Sequence, residues 1–255
     1  MRKLILILLS FSFITSCTQK KLQENKHIVI EHYIQLTGKQ ILSESDSITI
    51  PLSKQGYTLH IPESKPIATI IFPSGSAPDT TRNIDEYDII EPALAKNMAV
   101  LFVSTGKIIE FLFTDEDIKI IDMLIGNVLE KYELKNKPIF LAGMSLGGTM
   151  ALRYSEYCYL NNSSFGLKPS TIAICDAPLD MVRMWYEQEQ AIKNNYHPNA
   201  VGEAKWVLHY LRKNLNGSPE ESMENYIDYS PFVYKNENIA VEKLHAPYSN
   251  PLPAS

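Results

Sequence analysis

The sequence lacks several features that would place a protein in a functional class. It has no apolar run of about 18 residues, so it predicts no membrane-spanning helix in the mature protein. Net charge is −5 and no basic run follows the first few residues, so the charge pattern predicts no nucleic-acid partner. Repeats and low-complexity tracts are also absent. The 255 residues, 45% hydrophobic and 21% charged, predict one globular domain with a full core.

Cysteine is scarce as well, at three residues: Cys17, Cys158 and Cys175. So few cysteines exclude a dense disulfide framework, and no Cys/His cluster has the spacing of a zinc site. Cys158 and Cys175 could form a disulfide in an exported protein, but we expect both to be buried free thiols. The sequence predicts no metal and no other cofactor.

The amino terminus is predicted to be a targeting segment. Two basic residues precede an apolar stretch over residues 4–14, which closes with Ile14-Thr15-Ser16-Cys17. This ending resembles a bacterial lipoprotein signal, and the resemblance implies a mature chain that begins at Cys17 and carries acyl chains there. Residues 1–17 are then the signal, and the polar residues 18–26 form a tether. We therefore expect an exported cell-envelope lipoprotein, anchored to the membrane; the alternative is a plain secretory signal with an incidental cysteine.

The most informative stretch spans residues 138–152. Ile139 to Ala142 suit a buried strand, and the residues from Leu146 onward favour a helix. A strand that turns directly into a helix strains the corner residue, and glycines two positions on either side of Ser145 remove the side chains that would clash. The pattern predicts that Ser145 is exposed at the carboxyl edge of a sheet, at the N-terminus of a helix.

A serine in this position has the surroundings that a nucleophile needs. Its hydroxyl requires a base to take the proton, and N–H donors to hold the oxyanion that forms after attack. The backbone N–H of Leu146, the first residue of the predicted helix, points to where that anion forms. The alternative is that residues 143–148 are only a tight turn, but the strand before and the helix after favour the nucleophile.

These residues resemble a known family. Gly143-Met144-Ser145-Leu146-Gly147-Gly148 after a buried strand looks like the nucleophile elbow of the α/β-hydrolase superfamily. Residues 70–79 are similar to the family's loop that supplies the second oxyanion N–H, a role that we assign to Ser76, with Gly75 next. Without the elbow, this Gly/Ser/Pro cluster would be taken as only a loop. The resemblance covers about residues 48–235.

Hydrophobic periodicity predicts the other elements. Alternating residues predict an antiparallel hairpin, with strands over 47–52 and 57–62 and a turn at 54–56. Further strands are predicted over 66–72, 98–103 and 171–175, and helices over 84–96, 114–132 and 146–160. On the helix that begins after Thr114, we expect Asp117 to belong to the cap and Asp122 to lie on the solvent face.

The alternation of strands and helices predicts an α/β fold, in three layers and α/β-hydrolase-like, with a mostly parallel sheet. We expect an incomplete core over 27–178 and 230–245 and an unstructured tail over 246–255. By the resemblance, residues 179–229 form a helical cap over the serine. The family's last strands have no counterpart in the proline-rich end of the sequence, which contains no β-compatible run.

The partners of Ser145 are less well defined. The family's order is serine, acid, histidine, and Asp176 is the candidate acid because some lipases place it after this strand. By the resemblance, Asp176 or Asp180 is at least as consistent with a structural turn before the cap. His245 is late enough in the chain to be the base but has no strand to place it, whereas His197 and His209 are expected in a loop and on a helix face of the cap. We therefore expect a truncated or frame-shifted copy of a longer hydrolase.

Together these features predict a serine hydrolase that acts on ester, thioester or peptide-type acyl bonds through an acyl-enzyme. Its substrate is expected to be a small-molecule or peptide acyl compound, and its activity is in doubt because the acid and histidine region is missing. The alternative is a non-catalytic lipid-anchored binding protein, or an inactive remnant, on the same fold. The sequence predicts no particular oligomeric state.

Overall fold

The computed structural model describes residues 27–43, 48–78 and 89–233. These residues form eight strands: β1 (His27–Gln35), β2 (Lys39–Ser43), β3 (Ile48–Pro51), β4 (Lys54–Pro62), β5 (Ala68–Ser74), β6 (Met98–Thr105), β7 (Ile139–Met144) and β8 (Thr171–Cys175). They also form six helices: α1 (Ile90–Leu94), α2 (Asp115–Lys131), α3 (Leu146–Tyr159), α4 (Met181–Asn194), α5 (Pro198–Asn214) and α6 (Pro219–Tyr229).

Six of the strands form one sheet, in the order β1-β4-β6-β5-β7-β8. β4 pairs antiparallel with both β1 and β6, whereas β6, β5, β7 and β8 run parallel to one another. β1 and β8 are the outer strands of this sheet in the described part of the chain. The parallel strands bring their carboxyl ends to one end of the sheet, which is where ligands bind in such folds.

The predicted hairpin of strands 47–52 and 57–62 is wrong. β3 pairs with β2 in a separate two-stranded sheet, and the residues predicted as the turn belong to β4, which pairs with β1. Gly56 explains the error, because its φ is +148° and a Cβ there would come within 2.0 Å of the His32 carbonyl oxygen. This glycine permits a close approach of two strands rather than a turn.

Helices cover both faces of the large sheet. On one face, α2 buries Ile121 and Ile125, and α3 buries Met150 and Tyr154. On the other face, α1 contributes Ala93 to a smaller apolar cluster with β5 and β6. The predicted three-layer α/β arrangement is confirmed: helices lie on both faces of a mostly parallel sheet.

Two acidic residues of α2 differ from each other in their roles. Asp117 belongs to the helix cap as predicted, since its N–H donates to the Thr114 hydroxyl at 3.2 Å. The prediction that Asp122 lies on the solvent face is wrong, because this residue is 1% exposed. Its carboxylate accepts hydrogen bonds of 2.7 to 2.8 Å from the Tyr154 hydroxyl and from two groups of the 163–164 loop. A charge can occupy the apolar side of a helix when donors satisfy it in this way.

Both described cysteines are free thiols. Cys158 is buried in α3, as predicted, and burial raises the pKa of its thiol to about 12. Cys175 is exposed, so the prediction that it is buried is wrong. The reason is its place on an outer strand, where Thr171, Ala173 and Cys175 alternate along an open face.

The segment predicted to be helical over 179–229 contains α4, α5 and α6, which we call the helical layer. Its centre is an apolar cluster that includes Trp185, Leu211 and Tyr226. Leu146, the first residue of α3, packs against this cluster. The helical layer therefore lies next to the start of α3.

Candidate active site

Ser145 lies at the corner between β7 and α3. β7 ends at Met144 and α3 begins at Leu146, so one residue makes the whole connection. Ser145 has φ 51° and ψ −128°, a conformation that strains a residue with a side chain. It is also exposed. The backbone thus forms the strained corner that the sequence predicts.

Three glycines make room for this corner. A Cβ on Gly143 would come within 2.3 Å of the Gly147 carbonyl oxygen, and a Cβ on Gly147 within 3.1 Å of the Pro73 carbonyl oxygen. A Cβ on Gly148 would lie 2.7 Å from the Cβ of Ala177. The end of β7, the end of β5 and the segment after β8 all approach the first turn of α3 this closely, so side chains at positions 143 and 148 would force a movement.

The start of α3 provides positive potential beside Ser145. The first N–H groups of a helix have no acceptor within the helix, and the helix dipole adds partial positive charge. Leu146 carries the first of these groups. The Ser145 carbonyl oxygen accepts the N–H groups of Gly148 and Thr149 at 3.0 and 3.3 Å, which fixes the corner to the helix. An anion that forms beside Ser145 would be stabilised there.

β5 brings Gly75 and Ser76 to the same end of the sheet. A Cβ on Gly75 would lie 2.1 Å from the Lys107 carbonyl oxygen, so this position requires glycine. Ser76 is half-buried, and its N–H donates to the Ser74 hydroxyl at 3.3 Å. The N–H predicted as the second oxyanion donor therefore has an acceptor in its own loop, and it must give up this long hydrogen bond to act on a substrate.

Asp176, the candidate acid, directly follows β8. The Ser145 N–H donates to the carbonyl oxygen of Cys175 at 2.9 Å, so the residue before Asp176 is bonded to the corner itself. Asp176 is exposed and has a φ of 49°, a region that aspartate occupies more readily than most residues. Ser145 and Asp176 therefore lie at adjacent ends of neighbouring strands.

The candidate histidines lie elsewhere. His197 is exposed, and its Nδ1 accepts the N–H of Asn199 at 3.2 Å, so this side chain caps α5. His209 is half-buried on α5, on a helix face as predicted. His245 lies outside the described residues, as does Cys17, the predicted lipidation site. The structure brings the start of α3 together with the end of β5 and the turn after β8 that contains Asp176, and it places His197 and His209 in the helical layer.

No motif marks the loop over 107–114, between β6 and α2, yet this loop joins the sheet to the helical layer. The Tyr210 hydroxyl of α5 donates to the Ile109 carbonyl oxygen at 3.3 Å. The Tyr229 hydroxyl of α6 donates to the carbonyl oxygen of Phe111. Contacts from a tyrosine hydroxyl to a distant carbonyl leave no periodic pattern in a sequence, so only the richness in aromatic residues could have indicated them.

The same loop buries an acidic residue that the sequence does not single out. Glu110 is 2% exposed, and its carboxylate accepts the Leu112 N–H at 2.7 Å. Burial, followed by the negative charge of Asp117, raises the pKa of Glu110 to about 7. The ammonium of Lys107 lies 3.8 Å from the Glu110 carboxylate and is hydrogen-bonded to Asp117.

Across residues 27–43, 48–78 and 89–233, no three His, Cys, Asp or Glu side chains are grouped as a metal ion would require. None of the helices in these ranges combines the length and apolar character needed to cross a bilayer. At the corner itself, the Ser145 N–H donates to the Cys175 carbonyl oxygen, and the Ser145 carbonyl oxygen accepts the N–H groups of Gly148 and Thr149.

No protein-family model and no curated protein matches the sequence. Among solved structures, similar ones include the closed state of Candida antarctica lipase A, with 11% identity, a TM-score of 0.44 and coverage of 73% of this chain and 57% of that one. Inhibited esterase B of Lactobacillus rhamnosis has 13% identity, a TM-score of 0.45 and coverage of 81% and 62%. An esterase of Pyrobaculum calidifontis has 15% identity, a TM-score of 0.46 and coverage of 79% and 62%. The chain thus spans 57 to 62% of the length of these structures, and none of these likenesses assigns it an activity.

Proposed function

We propose that this chain is a serine hydrolase that cleaves ester, thioester or peptide-type acyl bonds through an acyl-enzyme. One observation carries the proposal: Ser145 is exposed in a strained conformation between a strand and a helix, with the first N–H of α3 beside it. Strain of this kind costs about 1–3 kcal/mol, and a glycine at the corner would relieve it. A serine that keeps the strain, with anion-stabilising groups next to it, fits the role of a nucleophile.

In the proposed reaction, the Ser145 Oγ attacks the acyl carbon while its proton passes to a base, and the acyl oxygen gains negative charge. The Leu146 N–H stabilises this charge, and the N–H of Ser76 or Gly75 completes the oxyanion hole. Collapse expels the protonated alcohol, thiol or amine and leaves the acyl group on Ser145, from which water releases the acid. Asp176 is the proposed acid residue and His245 the proposed base. Without a positioned base, the serine would lose most of its rate advantage.

A fluorophosphonate probe tests this proposal, because it reacts covalently with activated serines and needs no knowledge of the substrate. The full chain should be labelled, and peptide mass spectrometry should locate the label on Ser145. The Ser145→Ala variant is the matched control and should remain unlabelled. A folded wild-type chain that stays unlabelled would contradict the proposal and favour the alternative, a non-catalytic binding protein or an inactive remnant on the same fold.

We also propose that the chain is an exported lipoprotein, anchored to the cell envelope by acyl chains on Cys17. The support is the sequence of residues 1–17, with its basic start, apolar stretch and terminal cysteine. Bacterial cells that express the chain and are fed an alkyne fatty acid should incorporate it into the wild type but not into Cys17→Ser. Equal labelling of both proteins would disprove attachment at this residue.

A further inference from the structure

The turn after β8, residues 176–178, is bonded to the first turn of α3 at both of its ends. At its start, the Ser145 N–H donates to the Cys175 carbonyl oxygen at 2.9 Å. At its end, the Thr149 hydroxyl donates to the Pro178 carbonyl oxygen at 2.8 Å. Asp176 lies between these two hydrogen bonds. The position of Asp176 relative to Ser145 is therefore set by two bonds, one of which comes from a side chain.

Thr149 is unusual among helical threonines in where its hydroxyl goes. A threonine inside a helix commonly bonds the carbonyl one turn earlier in the same helix. The Thr149 hydroxyl instead reaches Pro178, a residue 29 positions later in the chain. The Thr149 side chain is fully buried, at 0% exposure, whereas Pro178 is half-buried. Its own N–H donates to the Ser145 carbonyl oxygen at 3.3 Å, so Thr149 contacts both the corner and the turn.

Close packing supports the same turn between its two hydrogen bonds. A Cβ on Gly148 would lie 2.7 Å from the Cβ of Ala177, which means that the turn rests directly on the helix backbone. Beyond the turn, the Leu179 carbonyl oxygen accepts the Phe232 N–H at 3.2 Å, and the Met181 N–H donates to the Ser230 hydroxyl at 3.0 Å. The segment is therefore held by α3 on one side and by residues 230–232 on the other. A change at Thr149 alters only its contact with α3.

We infer that Thr149 is a positioning residue of the candidate active site, whose hydroxyl fixes Asp176 relative to Ser145. The inference rests on the proposed hydrolase function and adds to it a residue outside the motif. Thr149 itself touches no substrate, since it is buried. It acts by restricting where the turn can place a carboxylate.

The test uses the purified full chain and measures the second-order rate of fluorophosphonate labelling at Ser145, together with the thermal midpoint. Thr149→Val keeps the shape of the side chain and removes the donor, so labelling should slow by about tenfold or more. Thr149→Ser keeps the hydroxyl and should stay within about twofold of the wild type. In the Asp176→Asn background, the further change Thr149→Val should have no additional effect on the rate, because its route to the nucleophile is already lost.

A second perturbation reaches the same turn without touching Thr149. Gly148→Ala pushes against Ala177 and should also slow labelling, and adding Ala177→Gly should restore part of the rate. A Cβ at position 148 would also lie 3.2 Å from the Gly143 carbonyl oxygen, so the rescue is the informative result if Thr149→Val does not fold. Recovery of the rate in the double variant would support the inference, and a rate that does not recover would overturn it.

Failure of the inference about Thr149 and failure of the proposed hydrolase function give different results in these experiments. Thr149→Val with a lower thermal midpoint but the wild-type labelling rate would overturn the inference, as would effects of Thr149→Val and Asp176→Asn that simply multiply. Either result leaves Ser145 as the nucleophile. Absence of labelling in the wild type would instead contradict the hydrolase function, and the inference with it.

Discussion

The Tyr154 hydroxyl donates a 2.8 Å hydrogen bond to the Asp122 carboxylate, and each residue is only 1% exposed. Tyr154 belongs to α3, the helix that begins next to Ser145, and Asp122 belongs to α2. The same carboxylate accepts the Ser163 hydroxyl and the Ser164 N–H from the loop that leads to β8. One buried carboxylate therefore holds together two helices and the approach to the outer strand of the sheet.

We predict that Asp122→Ala destabilises the fold strongly. The substitution removes the acceptor of the buried Tyr154 hydroxyl, the half-buried Ser163 hydroxyl and the Ser164 N–H, and hydrogen bonds to a charged group contribute about 1.5–3 kcal/mol each, so the loss should be about 3 kcal/mol or more. Asn127→Ala, an exposed position on the same helix, is the control and should change the free energy of unfolding by about 0.5 kcal/mol or less. Urea denaturation measures both, and equal effects would show that the network contributes little.

We predict that Gly143→Ala disrupts the corner at Ser145. The added Cβ would lie 2.3 Å from a backbone oxygen, which cannot move without shifting α3. Labelling at Ser145 should be lost, and stability should fall by about 1–3 kcal/mol. Gly202→Ala is the matched control, because a Cβ in that part of α5 meets nothing within 4 Å and should stabilise the helix by about 1 kcal/mol. Normal labelling of Gly143→Ala would contradict the close approach.

Stability should fall on acidification because of His60. This residue is 7% exposed, and its Nδ1 lies 3.3 Å from Nε2 of His27. Burial, and then the charge of His27, lower the pKa of His60 from 6.5 to about 4. The unfolded chain therefore binds a proton at a higher pH than the folded protein does. The contribution of neutral His60 to the free energy of unfolding is complete above pH 6.5 and is lost as the pH falls to 4. The loss is at most about 3 kcal/mol.

Urea midpoints between pH 7 and pH 4 measure this effect. The His60→Leu variant should lose less stability over that range than the wild type, because it has no proton to bind at this position. A parallel decline in both proteins would mean that other groups, and not His60, cause the acid sensitivity.

Glu110 should act in the opposite direction. Its pKa is raised from 4.5 to about 7, so between these values the folded protein binds more protons than the unfolded chain. Stability should therefore decrease as the pH rises through this window, by at most about 3 kcal/mol. Glu110→Gln removes the titration and should become more stable relative to the wild type as the pH rises from 4.5 to 7. A difference that does not depend on pH would disprove the raised pKa.

The sequence predicts those parts of the fold that local pattern determines. β7, the start of α3 and the corner between them follow from an apolar run, spaced glycines and helix formers within a dozen residues. Thr114 is likewise recognisable as a cap because its partner is three residues away. The parallel sheet follows from the order of these local elements.

The errors concern features that depend on distant segments. In the sequence, Gly56 looks like a turn residue, because the close approach of β1 is not visible there. Asp122 looks like a surface charge, because its donors lie in α3 and in the 163–164 loop, far along the chain. The exposure of Cys175 depends on whether another strand pairs with β8 and covers it. Within the site, Ser145 is predictable from its motif, whereas the bond from Thr149 to Pro178 spans 29 positions and has no pattern.

The tyrosine bonds to the loop over 107–114 bear on how a ligand would enter. Tyr229 is hydrogen-bonded to Phe111 and its ring lies 4.5 Å from that of Phe113, so the helices and the loop are joined by both polar and aromatic contacts. A rigid-body movement of α4, α5 and α6 away from the loop over 107–114 would have to break all of these contacts together. Among the described residues, Met144 is 48% exposed and Ser145 and Asp176 are also exposed, so under the proposed function a molecule that reaches this side of the corner would meet Ser145 without α4, α5 or α6 having to move.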